Sequence, residues 1–336
     1  MTKKIYVAYT GGTIGMEHTQ YGYSPASNLM TLINQKLSQD VMDNLPQFEL
    51  HEYDKLIDSS NICPDNWKQM AEDIANRYQA YDGFVILHGT DTMAYSSSML
   101  SFMLQNLQKP IIFTGSQIPL CEARTDALEN FITALIIASD ERVKEVCLYF
   151  NRRLMRGNRS LKVNAHGFDG FDSPHYPDLG RVGIDINLNE QYLWQPQGVE
   201  NFQLACDVRS HVLPLSLFPG ITSDWLKIAL NQPYSAFVLR TYGTGNGPDK
   251  DKALINVLTE ACERGIIIVN QSQCYRGAVK QGYASGSALN QAGLLNSHDA
   301  TPEALFCKLQ HLFSVGKTPE QVRRLVNINL SGELTD

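Results

Sequence analysis

The segment Lys3–Gly15 constrains the fold most strongly. Its apolar, β-rich run Ile5–Tyr9 stops abruptly at a Thr-Gly-Gly-Thr sequence, residues 10–13. A short apolar run that ends in adjacent glycines predicts a buried strand feeding a tight turn. In an open α/β sheet, ligands bind beyond the carboxyl ends of the strands, and glycine lets the backbone approach a bound group closely. Thr10 and Thr13 therefore flank a turn that can hold an anion or present a nucleophile.

Strands and helices alternate along the first 150 residues. The continuous apolar run Gly83–Leu87 is typical of a parallel sheet that is covered on both faces. The other predicted strands are 48–53, 110–114 and 143–150, and the predicted helices are 29–45, 64–81, 93–105 and 124–139. This alternation indicates βαβ units, whose crossovers are normally right-handed.

The pattern changes after residue 150 and then resumes. Residues 151–200 are rich in Arg, Gly and Pro and have few long apolar runs, which indicates the end of one domain and a linker. The second predicted α/β pattern has strands at 212–215, 236–239 and 265–269 and helices near 223–230, 250–263, 287–292, 301–315 and 319–327. We predict an N-terminal catalytic domain (1–190), a linker (191–207) and a C-terminal domain (208–336).

The expected fold class is therefore α/β. The larger N-terminal domain should hold a doubly wound, mostly parallel sheet of flavodoxin-like type, and the smaller C-terminal domain should be α/β as well. The length of 336 residues fits two such domains.

Charge and composition exclude several classes of partner. The net charge is -7 and no long Lys/Arg run is present, which argues against nucleic acid as a partner. No window approaches the roughly 18 apolar residues of a membrane span. The N-terminal apolar run is too short for a signal-peptide core. We expect a cytoplasmic protein.

Cysteine and histidine spacing indicates no metal site. The seven cysteines are scattered and none is spaced as C-x-x-C, so we expect reduced thiols rather than a zinc site or a redox dithiol. The eight histidines include no H-E-x-x-H motif. His88 ends a buried strand and is interpreted as a structural residue rather than a catalyst. We expect neither a metal nor another cofactor.

Three predicted strand ends carry small hydroxyls beside a carboxylate or glycines: 10–13, Asp58-Ser59-Ser60 and Gly89-Thr90-Asp91-Thr92. Because they share one edge of the sheet, they should converge on one crevice. A fixed carboxylate suits an ammonium group, and hydroxyls and amides suit a carboxylate, so the crevice fits a small zwitterion. The polar loop 16–28, with Tyr21 and Tyr23, is either a lid over this crevice or a plain surface loop.

Two of these segments resemble a known family. Residues 10–15 (TGGTIG) and 85–94 (VILHGTDTMA) are similar to the two signature segments of the bacterial-type asparaginase/glutaminase family. Residues 159–162 (RSLK) resemble the segment that carries the catalytic lysine of that family. The 58–60 cluster and the tail 329–334 resemble the cytoplasmic type I asparaginases in particular.

The resemblance implies the reaction and its catalytic residues. Thr13 would attack the side-chain amide of L-asparagine and form a β-aspartyl ester, which water resolves to aspartate and ammonia. A hydroxyl needs a positioned base because its own pKa is far above 7. The family offers two candidates for that base: Tyr23 from the lid, or Thr90 relayed through Lys162 with Asp91 nearby.

The resemblance also implies how the substrate binds. Asp91 would hold the ammonium, and Ser59, with Ser60 and Asp58, would hold the α-carboxylate. The amide N–H after the turn at Gly89-Thr90 is the natural donor to the developing oxyanion.

A second, regulatory asparagine site is implied as well, in a homotetramer built as a dimer of dimers. The matching positions lie in the C-terminal domain: Arg240, Tyr242, Asn246, Ser272, Gln273 and Cys274. Arg240 could bind a carboxylate bidentately or instead form an interface salt bridge. Leu161, before Lys162, stands where close relatives tend to carry Thr, so we expect hyperbolic or weakly sigmoidal asparagine kinetics.

Two alternatives stay open at this point. A non-catalytic amino-acid or nucleotide sensor could use the glycine turn as an anion cradle, although Gly11-Gly12-Thr13-Ile14-Gly15 lacks the G-x-G-x-x-G spacing of dinucleotide folds. An amidohydrolase could also prefer glutamine or a peptide-linked or tRNA-linked amide. The lack of basic runs makes the tRNA-linked version the weaker of these.

Overall fold

A computed structural model describes residues 3–20, 22–25, 28–195, 201–207, 211–280 and 284–335. The chain divides into two compact units, Met1–Cys206 (the N-terminal unit) and Asp207–Asp336 (the C-terminal unit).

The N-terminal unit contains fourteen strands among its described residues. They are β1 (Lys4–Tyr9), β2 (Met16–Thr19), β3 (Gly22–Pro25), β4 (Gln47–Glu52), β5 (Gly83–Leu87), β6 (Leu104–Gln105), β7 (Ile111–Thr114), β8 (Val146–Phe150), β9 (Arg153–Arg156), β10 (Leu161–Lys162), β11 (Phe171–Asp172), β12 (Gly180–Val182), β13 (Ile186–Leu188) and β14 (Gln203–Leu204). Its α-helices are α1 (Leu29–Lys36), α2 (Gln39–Asp43), α3 (Pro64–Arg77), α4 (Met93–Met103) and α5 (Ala127–Ala138).

The main sheet has the order β13-β12-β9-β8-β7-β5-β1-β4. Its five strands from β4 to β8 are parallel, and in chain order they run 2-1-3-4-5, the doubly wound flavodoxin-like arrangement. The predicted fold class is therefore confirmed.

Strand β1 is buried on both faces of this sheet. Ile5, Val7 and Tyr9 belong to one apolar cluster, together with Leu29 of α1 and Phe131 of α5. Tyr6 and Ala8 alternate with them on the opposite face and are buried too, whereas Lys4 at the start of the strand is exposed. Burial on both faces explains the absence of polar residues in the run, and it fixes the turn that follows.

Residues 151–190 add to the sheet instead of merely ending the domain. Strands β9, β12 and β13 extend it in antiparallel fashion beyond β8. Each has only three or four residues. So short a run carries too little periodicity to be identified from sequence.

The predicted helix 29–45 is two helices, α1 and α2. Leu37 and Ser38 between them have extended backbones, and Ser38 occupies the position before the first residue of α2. Serine favours that position, because its side chain competes with helical hydrogen bonds in a helix interior. The apolar spacing continues across the break, so spacing alone predicted one helix.

Most of the loop 16–28 is a β-hairpin. Strands β2 and β3 pair from Met16 with Pro25 to Thr19 with Gly22. Tyr21 lies outside the described residues. A lid role for this hairpin stays a prediction.

The C-terminal unit is a smaller parallel sheet with helices on both faces, as predicted. Its strands, in sheet order, are β15 (Val212–Ser216), β16 (Ala236–Thr241), β17 (Ile267–Ser272) and β18 (Leu295–Asn296). Its helices are α6 (Ser223–Leu230), α7 (Lys252–Glu263), α8 (Ala284–Gln291), α9 (Pro302–Ser314) and α10 (Pro319–Leu325). One apolar cluster includes residues of α6 and α7, and a second includes residues of α9 and α10.

No helix among the described residues is long and apolar enough to cross a membrane. All seven cysteines are described, and none forms a disulfide.

Candidate active site

The three polar strand ends meet at one edge of the main sheet. They follow β1, β4 and β5, and β1 lies between the other two. A Cβ on Gly11 would lie 2.3 Å from Ile57 O, one on Gly12 would lie 2.4 Å from Gly89 N, and one on Gly89 would lie 2.4 Å from Ser59 Oγ. The three turns are thus in backbone contact, and only glycine fits between them.

Thr13 presents a hydroxyl that is available for chemistry. It is half-buried and begins a short 3-10 turn, Thr13–Gly15. Among the described residues, neither its hydroxyl nor its amide N–H has a hydrogen-bond partner. Thr10, in contrast, is buried and donates its hydroxyl hydrogen to Leu87 O at 2.9 Å. The two threonines of the turn therefore differ: Thr10 holds the backbone, and Thr13 is free to react.

Lys162 joins Thr90 and Asp91 into one cluster. The Lys162 Nζ donates to Thr90 Oγ1 at 2.9 Å and forms an ion pair with the Asp91 carboxylate. Thr90 is buried, whereas the Asp91 side chain is 58% exposed and can still accept a further cation from the crevice. Strands β10 and β11 pair with each other and carry Lys162.

The 58–60 cluster is tied to the same turn as Thr90. The buried Ser59 Oγ accepts from Asp91 N at 3.3 Å, and Ser59 O accepts from Thr92 Oγ1 at 2.7 Å. Asp58 accepts from Ser60 N at 3.1 Å and so stabilises the short turn Ser59–Asn61. Ser60 itself is exposed.

Tyr23 has its hydrogen-bond partner outside this cluster. Its side chain is 47% exposed, and its hydroxyl donates to Glu122 Oε1 at 2.8 Å. The ring packs edge-on against His18 across the hairpin. The hydrogen bond to the carboxylate raises the pKa of the Tyr23 hydroxyl.

His88 has the contacts of a structural histidine, in line with its interpretation from sequence. Trp67 Nε1 donates to Ser96 Oγ, and Ser96 Oγ in turn lies 2.9 Å from His88 Nε2. Because the Gly89 carbonyl can only accept, Nδ1 carries the hydrogen of the neutral ring and donates to Gly89 O at 2.7 Å, and Nε2 therefore accepts the hydrogen of Ser96. Burial lowers the pKa of His88 to about 4, so the ring stays neutral.

This histidine fixes the peptide plane between Gly89 and Thr90. In a planar trans peptide the Thr90 N–H points away from the Gly89 carbonyl, and therefore away from His88. Within the described ranges, the Thr90 N–H has no hydrogen-bond partner. An unpartnered amide in the turn that contacts the Thr13 turn is a suitable donor to an oxyanion.

Two residues of the site drew no functional prediction from sequence. Gln117 contacts Thr90, because Thr90 Oγ1 donates to Gln117 Oε1 at 3.4 Å. Glu122 contacts Tyr23. Both follow β7, the strand next to β5, so the rule that placed the other polar strand ends could have found Gln117.

The predicted second-site residues lie at the carboxyl ends of the neighbouring strands β16 and β17 or in the segments that follow them. Tyr242 N donates to Asn246 O at 2.9 Å, Cys274 N donates to Ser272 Oγ at 3.0 Å, and Gln273 Nε2 donates to Arg240 O at 2.9 Å. Tyr242 is thus paired with Asn246, Ser272 is paired with Cys274, and the side chain of Gln273 is bound to the backbone of Arg240.

Arg240 is the charged group of this set. Its buried Nε has no hydrogen-bond partner among the described residues. Burial raises the pKa of the Glu303 carboxyl to about 7, and the positive charge of Arg240 acts against that rise.

Among the described residues, no group of three or more His, Cys, Asp or Glu side chains could hold a metal ion.

Family models match both units. The model described as "Asparaginase, N-terminal" matches residues 4–194, and that of the "Glutaminase/Asparaginase C-terminal domain" matches residues 211–326.

Full-length similarity extends to individual proteins. The chain is 46% identical to L-asparaginase 1 of Escherichia coli K12 over 335 residues, which cover 99% of this chain and 98% of that protein. The crystal structure of L-asparaginase I from Vibrio cholerae matches with a TM-score of 0.92 and 43% identity over 100% of both chains. The thermostable L-asparaginase from Thermococcus kodakarensis matches with a TM-score of 0.87 and 30% identity over 99% of both chains.

Proposed function

Because this chain belongs to the asparaginase/glutaminase family, we propose that it is an L-asparagine amidohydrolase that releases L-aspartate and ammonia. One observation carries the proposal. The Thr13 turn is in backbone contact with the turn of Thr90, and Thr90 is hydrogen-bonded to Lys162 beside Asp91. A nucleophile, a cation and a carboxylate thus lie at one crevice.

The proposed reaction has two steps and needs no cofactor. In the first, the Thr13 oxygen attacks the side-chain carbonyl carbon of asparagine, its proton passes to a base and from the base to the amide nitrogen, and the C–N bond breaks to release ammonia. In the second, water attacks the β-aspartyl ester and frees both aspartate and the Thr13 hydroxyl. The Thr90 N–H is the proposed oxyanion donor, and one such donor contributes roughly 3–4 kcal/mol to catalysis.

Two groups are candidates for the base that takes the Thr13 proton. Thr90 is hydrogen-bonded to Lys162, and the Tyr23 hydroxyl donates to Glu122 while keeping lone pairs that could accept from Thr13. Single-turnover rates of Tyr23→Phe and Thr90→Val distinguish the two, because the variant that lacks the base loses the larger factor.

Substrate recognition follows from charge. The Asp91 carboxylate is partly exposed and would bind the substrate ammonium, while Lys162 balances its charge on the other side. Ser59, with Ser60 and Asp58, would bind the α-carboxylate. Asp58 already serves as an acceptor for Ser60 N, so its contribution is to hold the turn rather than to contact an anion.

Ammonia release tests the proposal. The wild type should hydrolyse asparagine, and Thr13→Ala should lose turnover while keeping its thermal unfolding temperature. Glutamine is the comparator, because the name of the C-terminal family model covers both activities. A wild type that binds asparagine but releases no ammonia would instead be a sensor.

Assembly, location and regulation are further proposals. We expect a homotetramer, which light scattering on the purified protein tests, and a cytoplasmic location, which cell fractionation tests. Arg240, Tyr242, Asn246, Ser272, Gln273 and Cys274 would bind a second asparagine. The Arg240 guanidinium would supply the positive charge that pairs with the carboxylate of that asparagine.

A further inference from the structure

We propose that Gln117 is a positioning residue for the amidohydrolase reaction. Its side-chain amide directs the Thr90 hydroxyl so that this hydroxyl can only accept a hydrogen bond from the crevice. The inference depends on the proposed function, in which Thr90 and Lys162 serve the reaction.

The backbone of Gln117 is held rigidly at the end of β7. Gln117 N donates to both oxygens of the Asp126 carboxylate, at 3.1 and 3.0 Å, and Ile118 N donates to Oδ1 at 3.0 Å. Asn130 Nδ2 donates to the same carboxylate at 3.1 Å. The side chain of Gln117 therefore starts from a fixed point.

The orientation of the Gln117 amide is set by two backbone carbonyls. Its Nε2 donates to Gly167 O at 2.8 Å and to Asn164 O at 3.3 Å. A flipped amide would place its oxygen against these two carbonyl oxygens, which cannot donate. The Oε1 atom must therefore face Thr90, where the distance to Oγ1 is 3.4 Å.

The direction of each hydrogen bond at Thr90 then follows. The Thr90 hydroxyl has one hydrogen and two lone pairs. The Lys162 ammonium has only donors, so Thr90 accepts from it; Gln117 Oε1 only accepts, so Thr90 gives its hydrogen there. One lone pair remains, and it can accept a hydrogen bond from the Thr13 hydroxyl or from the attacking water.

Without Gln117 the Thr90 hydrogen would be free to turn elsewhere. The Asp91 carboxylate shares the contact with Lys162 and is an acceptor of the right kind. A hydrogen that turned into the crevice would replace the lone pair there and remove the acceptor. The turnover number should therefore fall although substrate binding is unchanged, because Gln117 contacts the Thr90 hydroxyl and not Asp91 or Ser59, which are proposed to bind the ammonium and the α-carboxylate of asparagine.

Gln117→Met tests the inference, because it keeps the length of the side chain and removes both polar atoms. We expect kcat to fall about tenfold to a hundredfold with KM little changed. In a Thr90→Val background, which has no hydroxyl to orient, the same substitution should cause no further loss. An equal loss in both backgrounds, or wild-type kcat in Gln117→Met, would overturn the inference.

Gln117→Glu supplies a second readout if the methionine variant does not fold. The ionised carboxylate of this variant cannot donate to Gly167 O or Asn164 O, whereas its protonated form regains one donor. The ratio of variant to wild-type kcat should therefore rise as the pH is lowered, and a ratio that is constant with pH contradicts the proposal. Gln105→Met, an exposed site on β6, is the matched control and should leave kcat unchanged.

The same assays separate this inference from the proposed function. If Thr13→Ala hydrolyses asparagine as fast as the wild type, the proposed function fails whatever Gln117 does. If Thr13→Ala is inactive and Gln117→Met is fully active, only the role of Gln117 fails.

Discussion

The Tyr23 hydroxyl donates a hydrogen bond to Glu122 Oε1 at 2.8 Å. Tyr23 comes from the β2–β3 hairpin and Glu122 from the segment after β7, so the bond ties the hairpin to the body of the N-terminal unit. A neighbouring carboxylate stabilises the protonated phenol, which is why the pKa of Tyr23 is raised.

Glu122→Gln should lower the pKa of Tyr23 toward its ordinary value, because the neutral amide no longer opposes phenolate formation. NMR titration of ring-labelled tyrosine measures the change, and Tyr23→Phe identifies the signal by removing it. An unchanged titration midpoint in Glu122→Gln would show that the carboxylate does not govern this phenol.

Gly12→Ala should abolish most activity and destabilise the protein. Gly12 has φ 93° and ψ 176°, a region that is almost exclusive to glycine and costs an L-residue about 1–3 kcal/mol, and the new Cβ would lie 2.4 Å from Gly89 N. The collision would separate the Thr13 turn from the Thr90 turn, so we expect at least a hundredfold loss of kcat/KM, roughly what a 1 Å misplacement costs.

Gly183→Ala is the matched control for that variant. No heavy atom lies within 4 Å of its Cβ position, and its φ is not in the left-handed region. Activity and thermal unfolding temperature should both stay close to wild type. If Gly12→Ala and Gly183→Ala have the same activity and the same unfolding temperature, the close contact between the Thr13 turn and the Thr90 turn is contradicted.

His88 should make stability depend on pH below neutrality. Its pKa is about 4 in the folded chain and about 6.5 when unperturbed. Between these values the unfolded chain binds a proton that the folded chain does not. The stabilisation is therefore fully present above pH about 6.5 and is lost as the pH falls toward 4, by up to roughly 3 kcal/mol.

Urea unfolding of the wild type and His88→Gln at about pH 7 and about pH 4.5 measures this effect. The stability advantage of the wild type should shrink at the lower pH, because Gln does not titrate. His311, whose pKa burial also lowers to about 4, is present in both proteins and cancels in the difference. Turnover at neutral pH should stay within about tenfold of wild type, because His88 does not touch the reacting groups. If the stability difference between the wild type and His88→Gln does not change with pH, the buried, neutral state of His88 is contradicted.

Initial rates over a wide asparagine range should be hyperbolic or weakly sigmoidal for the purified protein. Leu161 adjoins Lys162 and carries no hydroxyl that could link a second site to catalysis. Leu161→Thr should raise the Hill coefficient, and Leu161→Val, equally branched but without the hydroxyl, should not. A steep Hill curve for the wild type would count against this interpretation.

The sequence predicted best those parts of the site that follow adjacent parallel strands. The turns after β1, β4 and β5 belong to adjacent parallel strands, so the sheet itself brings the 10–13 turn, Ser59 and Thr90 together. Burial of β1 on both faces makes that run recognisable. The same rule, applied to β7, leads to Gln117.

Other features could not be predicted from local pattern. Lys162 sits on β10, a strand of two residues that shows no periodicity, so only the family resemblance marked it. The hydrogen bond of Tyr23 could not be predicted either, because its partner Glu122 is 99 residues away in the chain. Hydrogen bonds between distant loops depend on packing that no single segment encodes.

The most direct test of the account is to trap the acyl-enzyme. Wild-type protein is acid-quenched during turnover of asparagine, digested and analysed by mass spectrometry. We predict that the peptide carrying Thr13 gains the mass of one aspartyl group, that fragmentation places this group on the Thr13 oxygen, and that Thr13→Ala shows no adduct. An aspartyl group on any other side chain, with Thr13 unmodified, would contradict the account.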